Sequence, residues 1–144
     1  MAVNTEIMKV FVFWSSVLVL KMLAMMPLTA HYRFKKQIFL NPEDMKFAKN
    51  SKVAFDDPDI ERVRRNHRND LENILPWFII TYIWLTTDPS PWLAGMLIKS
   101  FVISRILHTL SYSIFAQQPA RILSFACGYS IMIYEVFSSL LYYS

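Results

Sequence analysis

The chain has 144 residues, of which 54% are hydrophobic, 15% aromatic and 18% charged, with a formal charge of +4. Two glycines (Gly95 and Gly128) cannot build a phosphate-cradling loop, one cysteine (Cys127) forms no disulfide framework or multi-cysteine zinc site, and three histidines without HExxH spacing argue against a hydrolytic metal centre. The positive balance would point to nucleic acid only if it lay on a soluble face, and its distribution along the chain shows that it does not.

Val10 to Ala30 reads VFVFWSSVLVLKMLAMMPLTA, 21 residues with Lys21 as the single charge. That is long enough to cross a hydrocarbon core about 30 Å thick. Residues 31–70 form the only long link and hold ten of the fifteen Lys and Arg and seven of the eleven acids. Glu61 to Asn73 is a polar helical stretch that runs straight into a second apolar span, Ile74 to Thr87, and the two read as one long helix. Within it, Pro76 would clash with the carbonyl of Glu72, which predicts a kink. The third span, Trp92 to Phe115, carries Lys99, Arg105 and His108, and the fourth, Ile122 to Tyr143, carries Glu135 as its only charge. The connections TTDPSPW and AQQPARI are short, which argues for antiparallel neighbours, and Pro119 is placed to start a helix.

The expectation is an all-α membrane protein of one domain, residues 1–144: an up-down bundle of four transmembrane helices near 7–32, 60–88, 91–115 and 119–143, with a loop near 33–60. A soluble bundle would have to bury about 80 mostly apolar residues in a domain too small to hide them. Counting Lys and Arg places the long loop in the cytoplasm, with both termini on the opposite side and Trp84, Trp92, Tyr142 and Tyr143 as belt aromatics there.

With that topology, all four helices deliver polar groups to one depth. Arg65, Arg68, Asn69 and Glu72 recur at i, i+3, i+4 and i+7, a single helical stripe, and Arg105, His108 and Tyr112 recur at i, i+3 and i+7. Arg121 begins the fourth span at the same level, and Arg33 follows the end of the first. Ionisable groups at membrane depth cost at least ~2.5 kcal/mol each and mark function, so converging cations imply an anionic, water-soluble ligand. Structural readings stand beside this one. Lys35 to Lys52 suit a loop facing solvent and lipid headgroups, Lys21 and Glu72 suit an internal ion pair, and Arg105 suits a partner subunit. Lys99 and Glu135 suit structural or partner contacts, while Cys127, Tyr82, Tyr129 and Tyr134 suit packing.

At these same residues the chain resembles the MAPEG family, membrane-associated proteins of eicosanoid and glutathione metabolism. The resemblance is carried by LKMLAMMPLTAHYRFKK at 20–36, NPED at 41–44, DPDIERVRRNHRNDLENILP at 57–76, RILHTLSY at 105–112 and QPAR at 118–121. It implies a homotrimer in the endoplasmic reticulum membrane, with the mitochondrial outer membrane as a second location, and glutathione held between subunits on the cytoplasmic side. The implied glutathione-site residues are Arg33, Arg65, Arg68, Asn69, Glu72, His108, Tyr112 and Arg121. The implied chemistry is attack of the glutathione thiolate on an apolar electrophile arriving from lipid, or reduction of a lipid hydroperoxide, with Arg121 stabilising the thiolate and Tyr112 as a second, hydroxyl donor. The family's prostaglandin-isomerising branch has Ser and Tyr where this chain has Ile122 and Phe125, so glutathione-dependent isomerisation of prostaglandin H2 is the alternative. A non-enzymatic lipid-binding helper is the third reading. None of them involves nucleic acid.

Overall fold

The computed structural model describes residues 3–144; Met1 and Ala2, which the one-domain reading included, lie outside the described residues. Four helices dominate it: α1 (Thr5–Lys36), α2 (Pro58–Leu85), α3 (Pro91–Thr109) and α4 (Gln118–Tyr143). Each of the first three opens on a polar cap. The carboxamide of Asn4 accepts from the amides of Glu6 and Ile7, the carboxylate of Asp57 from those of Asp59 and Ile60, and the hydroxyl of Ser90 from that of Leu93. Prolines at the first turns of α2, α3 and α4 remove an amide that would have no helical partner there. At the other end of α1, Gln37 takes a left-handed conformation and its amide closes onto the carbonyls of Arg33 and Phe34.

The link between α1 and α2 is structured. A 3-10 turn, Pro42–Phe47, lies between two short strands, β1 (Ile38–Phe39) and β2 (Lys52–Val53), which pair in parallel. The all-helical expectation is corrected to that extent. A second departure lies after α3, where residues Leu110–Ile114 continue as a π-helical turn before Ala116 reverses the chain at positive φ.

Contacts between elements fix the bundle. α1 packs on α2 and α3, and α4 packs on the same two, so α1 and α4 sit diagonally and do not meet among the described residues. α2 and α3, though joined by a short turn, touch only narrowly. Short connection therefore did not mean broad contact. The pairings run in opposite directions for α1 and α2 (Lys36 with Asp57, Lys21 with Asp70) and in the same direction for α2 and α4 (Thr81 with Glu135, Trp84 with Ser138). That is an up-down arrangement. At its centre the Trp77 indole stacks on Phe101 with ring centroids 4.5 Å apart, flanked by the fully buried Leu18, Ile74, Ile98 and Val102.

The outer surface is apolar as well, with Phe13, Leu20, Leu23, Leu123, Phe137 and Leu141 all exposed. Three helices are long and apolar enough to cross a membrane: Thr5–Lys36, Pro91–Ile114 (α3 with its π turn) and Gln118–Tyr143. α2 is not among them, because its first half carries the charged stretch from Asp59 to Glu72. Several side chains assigned from sequence to belts or packing trade places. Trp84 is buried, its indole donating to the Ser138 hydroxyl at 3.2 Å; Tyr134 packs edge-on against it and Tyr129 stacks on Phe125, while Tyr82 and Cys127 are exposed.

Two features of the fold are directly testable. A Cβ placed on Gly128 would stand 3.0 Å from the Ser104 hydroxyl and 3.4 Å from the Phe101 ring, so this glycine lets α4 close on α3. Gly128→Leu is expected to destabilise by about 1–3 kcal/mol through overpacking, read from denaturant unfolding in detergent. At the start of α2, Asp57 also accepts two bonds from Lys36, at 2.9 and 3.0 Å, which with the capped amides hold its carboxyl below the usual range. A depressed folded-state pKa gives stability that is complete above the unfolded value near ~3.9 and fades as pH falls through the folded one. Asp57→Ala should therefore lower the melting temperature at neutral pH and make progressively less difference as pH drops below about 4.

Candidate functional site

The sequence-predicted polar groups do gather at one end of the bundle, the end that carries the residue 37–57 loop, but they form two clusters rather than one. The first joins α2, α3, the π turn and the start of α4. Asn69, His108, Tyr112 and Arg121, with Ile122 and Phe125, line a cavity of 270 Å³. The Arg121 guanidinium lies over the Tyr112 ring, 4.6 Å from its centroid. This is a cation–π contact, so the tyrosine face steers the arginine while its hydroxyl remains a separate donor. The His108 ring lies 5.5 Å from that of Tyr112 and 6.4 Å from that of Phe125, so three aromatic rings wall the same space.

The π turn holds Tyr112 in place through its own anchors. Asn66 of α2 donates to the Ser113 hydroxyl at 2.8 Å, both side chains being buried, and the Tyr32 hydroxyl of α1 donates to the Ser113 carbonyl at 3.4 Å. After the reversal, the Gln117 amide bonds the Ser111 carbonyl at 2.9 Å, which fixes where α4 begins. No side chain caps α4, so its first amides and the positive end of its dipole stay available beside Arg121.

The second cluster lies where α2 borders α1. Arg65, Arg68, Arg64, His67 and Glu61 line a hollow of 490 Å³ with Thr29 of α1. Glu72 is exposed, 3.9 Å from the Arg68 guanidinium. Arg33 stands one turn beyond Thr29 on α1, its Nε buried without a hydrogen-bond partner. Within one protomer, then, Arg65, Arg68 and Glu72 face outward while Asn69 turns toward α3 and α4. The single stripe expected from the i, i+3, i+4, i+7 spacing is divided at Asn69.

Behind the first cluster lies a buried polar network. The Asp70 carboxylate is fully buried; one oxygen accepts from Lys21 of α1 and the other from Arg105 of α3 at 2.8 Å. The same Arg105 nitrogen reaches the Asn69 side-chain oxygen at 2.8 Å and His108 Nδ1 at 3.4 Å. Two sequence readings are corrected here. Lys21 pairs with Asp70 and not with Glu72, and Arg105, at 1% exposure, forms its ion pair with Asp70 inside its own subunit, its Nε left without a partner. Near the other end of the bundle, Glu135 is buried and accepts from the Thr81 hydroxyl at 2.7 Å, a structural contact within the chain.

Comparison with known proteins covers nearly the whole chain. Residues 11–141 match the MAPEG family. The chain belongs to the MAPEG family. It is 38% identical to human microsomal glutathione S-transferase 1, over 96% of this chain and 94% of that protein. It is 33% identical to prostaglandin E synthase of Bos taurus, over 85% of this chain and 80% of that protein, and 31% identical to the human prostaglandin E synthase, over 84% and 80%.

In this MAPEG chain the residues that sequence reasoning missed are Asp70, Asn66 and Ser113. A signal for Asp70 existed. Extending the buried stripe of α2 backward from Trp84, Thr81, Trp77 and Ile74 by steps of three and four reaches Asp70, Asn66 and Val63, and leaves Glu72 on the other side. The π turn had no comparable signal, since LSYSI contains neither proline nor glycine. Asn66→Ala, which strips Ser113 of its buried donor, is expected to lower stability by about 1–3 kcal/mol in a denaturant titration.

Proposed function

We propose that this protein is a membrane-bound glutathione transferase that joins the glutathione thiolate to apolar electrophiles, with lipid hydroperoxides as further substrates. The observation that carries the reading is the cavity lined by Asn69, His108, Tyr112 and Arg121, a set rich in hydrogen-bond donors around one permanent cation. Membership of a family whose members include microsomal glutathione S-transferase 1 supports glutathione as the co-substrate. Glutathione carries two carboxylates and one ammonium group; Arg33, Arg65 and Arg68 suit the former and Glu72 the latter.

The two clusters line separate cavities within one protomer, which favours a site shared between copies. In a closed ring of three, Arg65, Arg68 and Glu72 of one subunit would face the Asn69, His108, Tyr112 and Arg121 cavity of the next. The protein is then a homotrimer, each subunit one four-helix domain over 1–144, with α2 completing the membrane-spanning set. The cation-rich end lies on the cytoplasmic side of the endoplasmic reticulum, where glutathione enters, and the electrophile arrives laterally from lipid. A second membrane, the mitochondrial outer membrane, belongs to the same reading.

The chemical step begins with loss of the thiol proton to water, leaving a thiolate whose lone pair forms the C–S bond as the leaving group departs from the electrophile. A free thiol near pKa ~8.5 is mostly protonated at neutral pH, and lowering it by about two units takes roughly 2.7 kcal/mol of added anion stabilisation. One close guanidinium, a phenol hydroxyl and an open helix start suffice for that. Arg121, whose guanidinium lies over the face of Tyr112, is the residue this reading gives to the sulfur.

Glutathione-dependent prostaglandin E synthase is the second reading, favoured by the relatives of that name. Ile122 and Phe125, which line the cavity, are the two apolar replacements that disfavour it. The deciding measurement is glutathione titration of the detergent-solubilised protein, with thiolate absorbance followed against pH and conjugation of a small aromatic electrophile assayed in parallel. Arg121→Leu should lower turnover at least about a hundredfold while the assembly, sized by light scattering, is retained. Unchanged turnover removes Arg121 from the mechanism; isomerisation of prostaglandin H2 without conjugation selects the second reading.

A further inference from the structure

The Arg105 guanidinium contacts three side chains that have no other reason to share a partner: Asp70, Asn69 and His108. A guanidinium has donors only and no acceptor, and it stays charged at any pH the protein meets. The one terminal nitrogen that makes all three contacts has two hydrogens, and the acceptors at 2.8 Å, on Asp70 and Asn69, take them. For Asn69 that fixes the carboxamide with its oxygen inward, at 2.8 Å from Arg105, and its NH2 group turned away from it. His108 Nδ1 faces the same positively charged nitrogen at 3.4 Å, a contact that disfavours an N–H at that position and so favours the proton of the neutral ring on Nε2. Both side chains also line the 270 Å³ cavity, where Arg121 and the Tyr112 hydroxyl add further donors.

We infer that Arg105 is a positioning residue that sets the hydrogen-bond polarity of the cavity, turning the acceptor ends of Asn69 and His108 inward so that their N–H groups serve an anionic ligand. Arg105 itself touches no ligand in this scheme. It is buried at 1% exposure and is held by the fully buried Asp70, which Lys21 secures from α1. Free to rotate, an amide and an imidazole would offer a mixture of donors and acceptors, and an acceptor aimed at a carboxylate or thiolate is repulsive. The network thus selects anions over neutral ligands at one remove from the site. The glutathione part of this inference rests on the function proposed above; the orientation of the two side chains does not.

The test separates the two. In protein labelled with 15N-histidine, at a pH above the imidazole range and without ligand, His108 (assigned by its absence in His108→Gln) should show a single tautomer protonated at Nε2. A proton on Nδ1, or a mixture of tautomers, overturns the inference whether or not any variant folds. In Arg105→Met the His108 signals should become an exchanging mixture, and the Kd for glutathione by equilibrium dialysis should rise about tenfold or more. Asp70→Asn, which releases Arg105 without removing it, should give a smaller change in the same direction. An Arg105→Met protein that keeps one tautomer, or that binds glutathione as tightly as before, also overturns it. If the unsubstituted protein shows the Nε2 tautomer yet binds no glutathione, the positioning role stands and the transferase reading falls.

Discussion

One carboxylate shared by two basic groups organises this molecule. Asp70, fully buried, brings α1, α2 and α3 together. A buried ion pair is weak evidence of net stability, since desolvation offsets most of the attraction, but removing one member leaves a stranded charge that costs about 3–5 kcal/mol. The arrangement is therefore enforced more than it is stabilised: the three helices have one mutual register that satisfies Asp70, and shifts along any axis break it. Because Arg105 continues from Asp70 to Asn69 and His108, that register is handed on to the cavity wall. α4 is joined differently, by the Glu135 and Ser138 contacts to α2 and by the close approach at Gly128 to α3.

Much of this was legible in the residues alone. Helix number and order follow from apolar run length and from the prolines at the turns, which are local signals. The gathering of Asn69, His108, Tyr112 and Arg121 follows from counting residues inward along antiparallel rods. Depth was readable; facing was less so. Lys21 was matched to Glu72 because both lie at one level, whereas the side chain that meets it is Asp70, two residues earlier and on the buried stripe. Two residues along an α-helix turn the direction of a side chain by about 200°, so an argument from level alone cannot choose between them. Trp84 departs from expectation for a related reason: an indole near a helix end suits an interfacial belt, but Ser138 supplies a partner inside.

The split between the two polar clusters has a physical origin in α2. This helix has its buried stripe in Asn66, Asp70, Asn73 and Trp77, so its arginines at 65 and 68 are necessarily turned away from the interior. Asn69 sits at the border and belongs to the inner group. A charged flank on a helix otherwise surrounded by apolar surface is unlike the exposed faces of α1 and α4, which present Phe13, Leu20, Leu123 and Phe137. The surface of the protomer is thus divided into regions that match different surroundings, a distinction that total hydrophobicity conceals.

The π turn at Leu110–Ile114 carries a last consequence. Widening one turn of a helix shifts the angular position of everything downstream, and a single residue added or removed there would swing Tyr112 and the reversal at Ala116 by about 100°. Replacing side chains in this stretch leaves that count untouched. Divergence across it should accordingly proceed by exchange of one amino acid for another, with the spacing from His108 to Arg121 kept constant.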